Sequence, residues 1–439
     1  MPFREQITKA SKMLISCQNT DGGISATKRG DPSGCWTTAD TLESFLNSGR
    51  FVEVGISRIK RMTMFLEATQ IRGNDTDKGK NGKYTNSGGW PLIQGDHACT
   101  MATGHAVGAL QLARELFKDD EETTEKIDQA ISRGANWLEK NQNSDGGWGS
   151  EPSAGQDGRY SRIVATYYAL YGYWYRGGNF SNSAAVRMAV DFFLKSRNND
   201  GSWGFAKGLT GDISNTARAA RGLLLSSYCD STSPLVKDAI KFIITNQEPR
   251  GLWDLAHEGF LYEDASGEVI YNNSCVFDAL MFLLTADYRE KETLEAIKWF
   301  LNTQEDSGFW CLSSPKRRVS DIYTWPTAEW IDVIDLASRK YVGHIARVYS
   351  TPLKWKRIIV TWVIGIIIFA ETSYILGLWS LLGYWWQGLE SSTRELILNG
   401  IIIALVVGLV STFLYDQLKL LFERIRKNFV SFLSRKIER

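Results

Sequence analysis

Residues 142–148 read Gln-Asn-Ser-Asp-Gly-Gly-Trp, and the spacing of Gln142, Gly146 and Trp148 recurs along the chain. Gln247–Trp253 (QEPRGLW) and Gln304–Trp310 (QEDSGFW) fit the same Gln-x-x-x-Gly-x-Trp pattern. Three variant copies lie at 18–24, with isoleucine for tryptophan, at 197–203, with arginine for glutamine, and at 70–90, where a polar insertion divides the motif. Six copies roughly 50 to 70 residues apart indicate a repeat architecture.

Each repeat is predicted to contain two helices, one on either side of the motif. An apolar segment such as Val190–Leu194 precedes the motif, and the motif glycine suits the left-handed end of a helix. A second, more apolar helix follows, often beginning near a small hydroxyl residue such as Thr38, Thr216 or Thr327. Six such pairs predict an all-α fold, an (α/α)6 toroid. Closure follows from the copy number, since the spacing alone would also suit an open solenoid.

This repeat resembles the one shared by squalene and oxidosqualene cyclases and the β subunits of protein prenyltransferases. The resemblance covers about residues 1–340 and rests on the Gln-Trp-type motifs. It implies a toroid around an apolar central cavity, and it implies isoprenoid chemistry, although a fold does not by itself fix a function.

The acid motifs of such cyclases are altered here. The family uses an Asp in an Asp-x-Asp-Asp-Thr-Ala or Asp-Cys-Thr-Ala-Glu setting to protonate its substrate. The nearest matches are Asp212–Ala217, where Ser214 and Asn215 replace the acid pair, and Trp325–Glu329, where Trp325 replaces the aspartate. The usual acid is therefore expected to be missing. The carboxyl groups that remain as catalytic candidates are Asp40, Asp96, Asp212, Asp278 and Glu329.

The zinc site of protein prenyltransferases is also altered. His97-Ala98-Cys99 resembles the family's histidine segment, but Tyr323 stands where a cysteine ligand is needed, and Asn273 replaces an aspartate two residues before Cys275. An unusual zinc site built from His97, Cys99 and Cys275 is possible but not favoured. The preferred interpretation is that His97 satisfies a helix N-terminus and both cysteines fill the core, so the cofactor stays unknown.

Aromatic and basic residues predict the ligand-binding surface. Aromatic side chains at the starts of inner helices would line an apolar pocket, and arginines facing it favour an anionic ligand. Lys316, Arg317 and Arg318 resemble the basic stretch that prenyltransferases place near a diphosphate. The predicted pocket residues are Trp36, Tyr160, Arg162, Arg218, Arg221, Tyr323 and Trp325.

The last hundred residues predict membrane association. Residues 358–383 and 396–415 are apolar segments long enough to cross a hydrocarbon core of ~30 Å as helices. Basic residues precede the first segment in the linker 341–357 and follow the second, so the toroid and the tail are expected to face the cytoplasm at the inner membrane. The tail, 416–439, has helical apolar spacing with basic residues between, as in helices that lie on anionic lipids. Residues 358–415 are thus predicted to form a two-helix transmembrane hairpin.

The sequence favours a binding function over an enzyme by a small margin. The chain has 50 basic and 49 acidic side chains, so its charge gives no reason to expect nucleic-acid binding. Because both known catalytic constellations are broken, we expect a toroid that binds a ligand or a partner in its cavity and signals through the hairpin, as a bacterial defence or stress effector would. It could form homo-oligomers. The alternative is a membrane-associated isoprenoid enzyme, a terpene cyclase or a prenyltransferase-like protein.

Overall fold

The computed structural model describes residues 3–27, 30–73, 87–150, 161–174, 183–247, 253, 261–263, 269–271, 274–310 and 324–341. All of them lie in the unit Met1–Tyr349. The helices are α1 (Arg4–Ser16), α2 (Cys35–Asn47), α3 (Phe51–Val54), α4 (Ile56–Thr69), α5 (Thr100–Leu116), α6 (Glu121–Lys140), α7 (Ile163–Trp174), α8 (Ala184–Ser196), α9 (Ile213–Leu225), α10 (Pro234–Thr245), α11 (Ser274–Thr285), α12 (Lys291–Leu301) and α13 (Thr324–Tyr341).

Six of these helices form an inner ring. They are α2, α5, α7, α9, α11 and α13, and each packs against the next, with α13 returning to α2. Every residue of α7 from Ile163 to Tyr173 is buried, as expected for a helix covered on all sides. The outer helices are amphipathic instead. In α6, for example, Ile127, Ile131 and Leu138 are buried at helical spacing while the acidic face is exposed. The predicted (α/α)6 toroid is therefore the observed fold.

The motif tryptophan joins the two helices of its own repeat. The indole Nε1 of Trp148 donates to the Leu138 carbonyl at the end of α6, at 2.8 Å. The backbone N–H of Trp148 donates to Thr166 Oγ1 in α7, at 3.0 Å. Equivalent threonines serve four of the other five copies, which explains the hydroxyl residue near the start of those inner helices: Thr38, Thr103, Thr216 and Thr327.

The motif glutamine joins neighbouring repeats. Gln142 Nε2 donates both to the Gly146 carbonyl and to the Ala185 carbonyl at the start of the next outer helix, each at 2.8 Å. In the copy at 197–203, Arg197 replaces the glutamine and its Nη2 contacts Asp238 Oδ2 of α10 at 2.6 Å. The substitution thus replaces an amide link between repeats with a charged one.

The ring closes through the last motif. Gln304 Nε2 donates to the Gln6 carbonyl of α1 at 3.0 Å. Thr324 Oγ1, at the start of α13, donates to the Ser25 carbonyl at 2.7 Å. These hydrogen bonds join residues almost 300 positions apart, and they exclude the open solenoid that the repeat spacing alone allowed.

Two antiparallel ribbons depart from the predicted all-α fold. One pairs β1 (Ile24–Ser25) with β2 (Ser33–Gly34), and the other pairs β3 (Leu261–Glu263) with β4 (Val269–Tyr271). Val269, Ile270 and Tyr271 have the high β-propensity that a short ribbon needs, a signal that the helical repeat concealed. Among the described residues, no helix has the length and apolar character needed to span a membrane. The predicted spans 358–383 and 396–415 lie outside the described residues.

Candidate functional site

The inner helices present lumen-facing side chains at three levels, spaced by four and then three residues along α2, α7, α9 and α13. The upper level contains Trp36, Met101, Val164, Ser214 and Trp325. The middle level contains Asp40, His105, Tyr168, Arg218, Asp278 and Glu329. The lower level contains Glu43, Tyr171, Arg221 and Asp332. One helical face therefore supplies one residue per turn to the lumen.

The upper level surrounds a cavity of about 410 Å³. Its walls are mainly apolar and aromatic, and Tyr168 and Glu329 of the middle level close it below. Pockets of this size and lining suit small apolar molecules, which a few polar groups orient. The predicted residues that the structure brings together around this cavity are Trp36, Arg162, Arg218, Trp325 and Glu329.

A second, much smaller pocket lies beyond Tyr168 and Glu329, which line both spaces. Its volume of about 10 Å³ is close to the room that one water molecule requires. His105 Nδ1 lies 2.8 Å from Asp40 Oδ1 and 3.8 Å from Glu43 Oε2. Burial opposes protonation of His105, but these two carboxylates outweigh it and raise the pKa of the imidazole.

Two arginines contact polar side chains at the middle and lower levels. Arg218 forms a two-pronged ion pair with Asp278, with Nη2–Oδ2 at 2.7 Å and Nε–Oδ1 at 3.1 Å. Burial raises the pKa of Asp278 to about 6 against the opposing effect of Arg218. Arg221 donates to the hydroxyl of Tyr167, and burial raises the pKa of that phenol to about 12. The tyrosine therefore stays neutral and contributes no charge.

The charges of the middle and lower levels identify the carboxyl groups that keep their protons. Among the described residues, Asp40, Glu43, Asp278, Glu329 and Asp332 face only the bases His105, Arg218 and Arg221. Full ionisation would leave a net negative charge in a buried site, which is costly. Burial, with the nearby carboxylates of Asp40 and Asp278, raises the pKa of Glu329 well above its usual value. Burial and the nearby Glu43 carboxylate likewise raise the pKa of Asp332 well above its usual value.

The site therefore favours the protonated, neutral form of the Glu329 carboxyl group. Only 7% of the residue is exposed. It is the one acidic residue among the described side chains that line the large cavity. A protonated carboxyl in an aromatic cavity can donate a proton to a bound molecule, a step that water would otherwise suppress by solvating the acid.

We predict that the toroid becomes more stable as the pH falls from 7 to 5. The pKa values of Asp278, Glu329, Asp332 and His105 are all raised, so the folded state binds protons more tightly than the unfolded chain. Stability then rises as the pH falls. For Asp278 the gain begins near pH 6 and amounts to roughly 1 kcal/mol by pH 5.

Thermal unfolding of the full chain at both pH values measures this effect. Asp278→Asn removes this titrating group and, at pH 7, the charged partner of Arg218. The unfolding temperature of this variant should respond less to pH than that of the wild type. Equal pH dependence in the two proteins would contradict the assignment of Asp278 as a contributor.

The other predicted acids lie outside the cavity lining. Asp212 is the N-cap of α9: its Oδ1 accepts from the Asn215 backbone N–H at 2.7 Å, and its Oδ2 accepts from Asn215 Nδ2 at 2.8 Å. Both carboxyl oxygens therefore serve the helix end. Asp96 is exposed in the segment before α5. These positions make Asp212 a structural residue and remove Asp96 from the candidate site.

The structure does not assemble the predicted zinc ligands. His97 is exposed, whereas Cys99 is buried as the N-cap of α5, its Sγ accepting from the Ala102 N–H at 3.3 Å. Cys275 is fully buried near the start of α11. Among the residues that the structure describes, no group of three or more His, Cys, Asp or Glu side chains could hold a metal ion. The members of this trio, which the sequence did not favour as a zinc site, occupy exposed, capping and core positions.

Several predicted ligand-binding residues lie outside the described part of the chain: Tyr160, Lys316, Arg317, Arg318 and Tyr323. They stay predictions. Conversely, His105, Glu43, Tyr168, Tyr171 and Asp332 were missed at the sequence level. The available signal was the spacing of polar residues along otherwise apolar inner helices. In α2, for example, Asp40 and Glu43 follow Trp36 at intervals of four and three residues. That spacing acquires meaning once the helices are known to face a lumen.

Comparison with known protein families identifies the repeat. The squalene-hopene cyclase C-terminal domain matches at residues 116–204 and 174–315, and the prenyltransferase alpha-alpha toroid domain matches at residues 3–87. A terpene cyclase/mutase, ntnI of Nectria sp, is 27% identical over 168 residues, which are 35% of this chain and 21% of that protein. The alignment thus spans about a fifth of that curated relative.

Solved structures share the fold at low sequence identity. The type II terpene cyclase MstE from Scytonema, in complex with geranylgeranyl dihydroxybenzoate, aligns with 77% of this chain and 98% of its own, at a TM-score of 0.51 and 14% identity. A glycosidase aligns with 76% of this chain and 96% of its own, at a TM-score of 0.54 and 11% identity. Both likenesses concern the fold alone.

Proposed function

Because residues 3–87 and 116–315 carry the helical repeat of squalene cyclases and prenyltransferases, we propose that this chain is an isoprenoid cyclase that starts its reaction by protonating a carbon–carbon double bond. Glu329 carries the proposal, since it lines an aromatic cavity and its raised pKa favours the protonated form that can donate a proton. The altered acid motifs are then explained by a change in the position of the catalytic acid. Trp325 occupies the usual aspartate position, and the acid is Glu329, four residues later on α13.

The cavity supports each step of such a reaction. The Glu329 O–H adds its proton to one alkene carbon, and the π electrons form the new C–H bond, leaving a carbocation on the other carbon. The faces of Trp36, Tyr168 and Trp325 supply the negative quadrupole that stabilises a cation in a dry site. A second double bond attacks the cation and closes a ring. Loss of a proton from carbon ends the reaction, so substrate and product are isomers.

The glycosidase likeness does not lead to an equal proposal. Glycoside hydrolysis normally needs two carboxyl groups flanking the scissile bond, one of them ionised. Glu329 is the one carboxyl among the described residues lining the large cavity, and its pKa is raised well above the usual value. The sequence relatives also favour terpenoid chemistry over glycans.

The test is a search for an isomer. The full-length protein is incubated with a panel of linear isoprenoids of about 10 to 20 carbons that carry alcohol, carboxylate or diphosphate head groups. A product of unchanged mass and shifted chromatographic retention supports the cyclase. A ligand that binds tightly and is recovered unaltered would instead favour the sensor or effector reading, in which the cavity binds an isoprenoid or a partner protein without chemistry.

We propose in addition that residues 358–383 and 396–415 anchor the toroid in a membrane, with toroid and tail in the cytoplasm. Their length and apolar character support this proposal, with Glu371 as the one charged residue of the first segment and none in the second. The basic flanks, including Lys354, Lys356 and Arg357, support it as well. Membrane lipids would then be partners, and a bilayer would supply apolar substrates.

The full-length chain is expected to stay with the membranes after alkaline carbonate washing. The matched variant carries Ile366→Arg and Val406→Arg, one charge in the middle of each predicted span, each costing about 2.5–3.5 kcal/mol of insertion free energy. It should move to the soluble or aggregated fraction. Release of the wild-type chain by carbonate would contradict the anchor.

A further inference from the structure

We infer that the substrate carries a singly charged anionic head group, a carboxylate, and that Arg162 binds it at the upper end of the cavity. The inference rests on the proposed function, because it names the substrate class of the same cavity. It begins from the distribution of positive charge. Arg162 and Arg218 are the cationic residues among the described side chains that line this space.

The two arginines differ in their partners. Arg218 is neutralised by its two-pronged contact with Asp278. Within the described part of the chain, Arg162 contacts neutral groups: Nη1 lies 3.2 Å from Ser150 Oγ, and the guanidinium carbon lies 4.7 Å from the Phe205 ring centroid. The guanidinium of Arg162 is therefore the charge that an incoming anion can use. Its planar fork matches a carboxylate with two parallel hydrogen bonds.

The backbone around Arg162 is held in place before any ligand binds. Its N–H donates to the Trp148 carbonyl at 2.9 Å, and Arg162 forms isolated β-bridges to both Trp148 and Ala206. Phe205 covers one face of the guanidinium. Side-chain ordering costs are lower when the binding group is already positioned, so more of the ion-pair energy contributes to affinity.

The level of Arg162 in the barrel orients the substrate. Arg162 immediately precedes α7 and lies six residues before Tyr168, which shares the middle level with Glu329. At a rise of ~1.5 Å per residue, the head group would lie about 9 Å above the acid along the helix axis. An anionic group at Arg162 therefore places the distal part of an isoprenoid chain, and not the head, against the Glu329 carboxyl.

The positive charge and the volume of the large cavity further restrict the class of ligand that can bind. One available guanidinium balances one carboxylate, whereas a diphosphate brings several negative charges, of which Arg162 would balance only one. A cavity of about 410 Å³ lies toward the lower end of the range of ~300–1,000 Å³ found for small-molecule pockets. That size favours a short isoprenoid chain over a triterpene.

The test measures binding in the full-length chain with Glu329→Gln, which prevents turnover, so that affinity is read separately from catalysis. Titration calorimetry uses a 15-carbon isoprenoid carboxylate, the matching alcohol and the matching diphosphate. The carboxylate should bind most tightly. Adding Arg162→Gln should weaken carboxylate binding by 10- to 100-fold and change alcohol binding by less than threefold, as expected for a charged hydrogen bond. Arg114→Gln, an exposed arginine paired with Asp128 on the outer surface, is the control and should change neither.

Equal losses for carboxylate and alcohol in Arg162→Gln would assign Arg162 a packing role and overturn the inference. Tightest binding of the diphosphate, with Arg162→Gln having no selective effect, would overturn it as well. If the carboxylate binds selectively through Arg162 but the wild-type protein returns it unchanged, the inference holds and the proposed cyclase activity fails.

Discussion

Glu329→Gln is expected to lower the rate of isomer formation by about a thousandfold, within the range of 10²–10⁴ that a positioned general acid contributes. Glutamine keeps the volume of the neutral carboxyl group and has no acidic proton to give. Because burial raises the pKa of Glu329 and favours its neutral form, the uncharged variant should fold and should bind substrate with nearly unchanged affinity. Single-turnover measurement of product, beside the dissociation constant, separates the two effects.

Asp332→Asn is the matched control for this experiment. Asp332 is also a carboxylic acid with a strongly raised pKa, and it lies three residues after Glu329 on the same helix. It lines the small pocket but is absent from the lining of the large cavity. The Asp332→Asn variant should therefore form the isomer at a rate within about tenfold of the wild-type rate. A Glu329→Gln protein as active as Asp332→Asn would refute Glu329 as the proton donor.

The repeat could be predicted from the sequence because its determinants are local. The motif glutamine, glycine and tryptophan lie within seven residues, and each makes the contact that its chemistry suggests. Trp148 illustrates this: its indole covers and bonds the end of the preceding helix, as the spacing indicated. Ring closure needed only the number of copies, and the Gln304 contact with Gln6 confirms it.

The candidate site was only partly predictable because it is assembled from different repeats. His105 of α5 contacts Asp40 of α2, and Arg218 of α9 contacts Asp278 of α11, which lies 60 residues later in the sequence. A motif search compares each acid with a known local pattern, so Asp212 was favoured by its sequence context although it caps a helix. Glu329 is distinguished from the other acids by its environment, because burial and the neighbouring charges favour its protonated form. A local sequence pattern does not show this environment.

Gly146→Ala is expected to destabilise the toroid strongly, because this motif glycine lies where two repeats meet. The backbone of Gly146 has φ of +92°, a region that disfavours any residue with a Cβ atom. A Cβ added here would lie 2.1 Å from the carbonyl oxygen of Met188 in α8, so the two repeats would have to separate. Backbone strain of about 1–2 kcal/mol and overpacking of about 1–3 kcal/mol together predict a loss of roughly 2–5 kcal/mol.

Gly208→Ala separates these two contributions. Gly208 also has a positive φ, +81°, but a Cβ there meets no atom within 4 Å. It should therefore lose only the strain of about 1–2 kcal/mol. Urea unfolding of both variants, followed by tryptophan fluorescence, measures the difference. Because Gln142 bonds both Gly146 and Ala185, separating the repeats would also break the amide link between them. Equal losses in the two variants would mean that the contact with Met188 yields easily, and that the motif glycine is required for its backbone conformation alone.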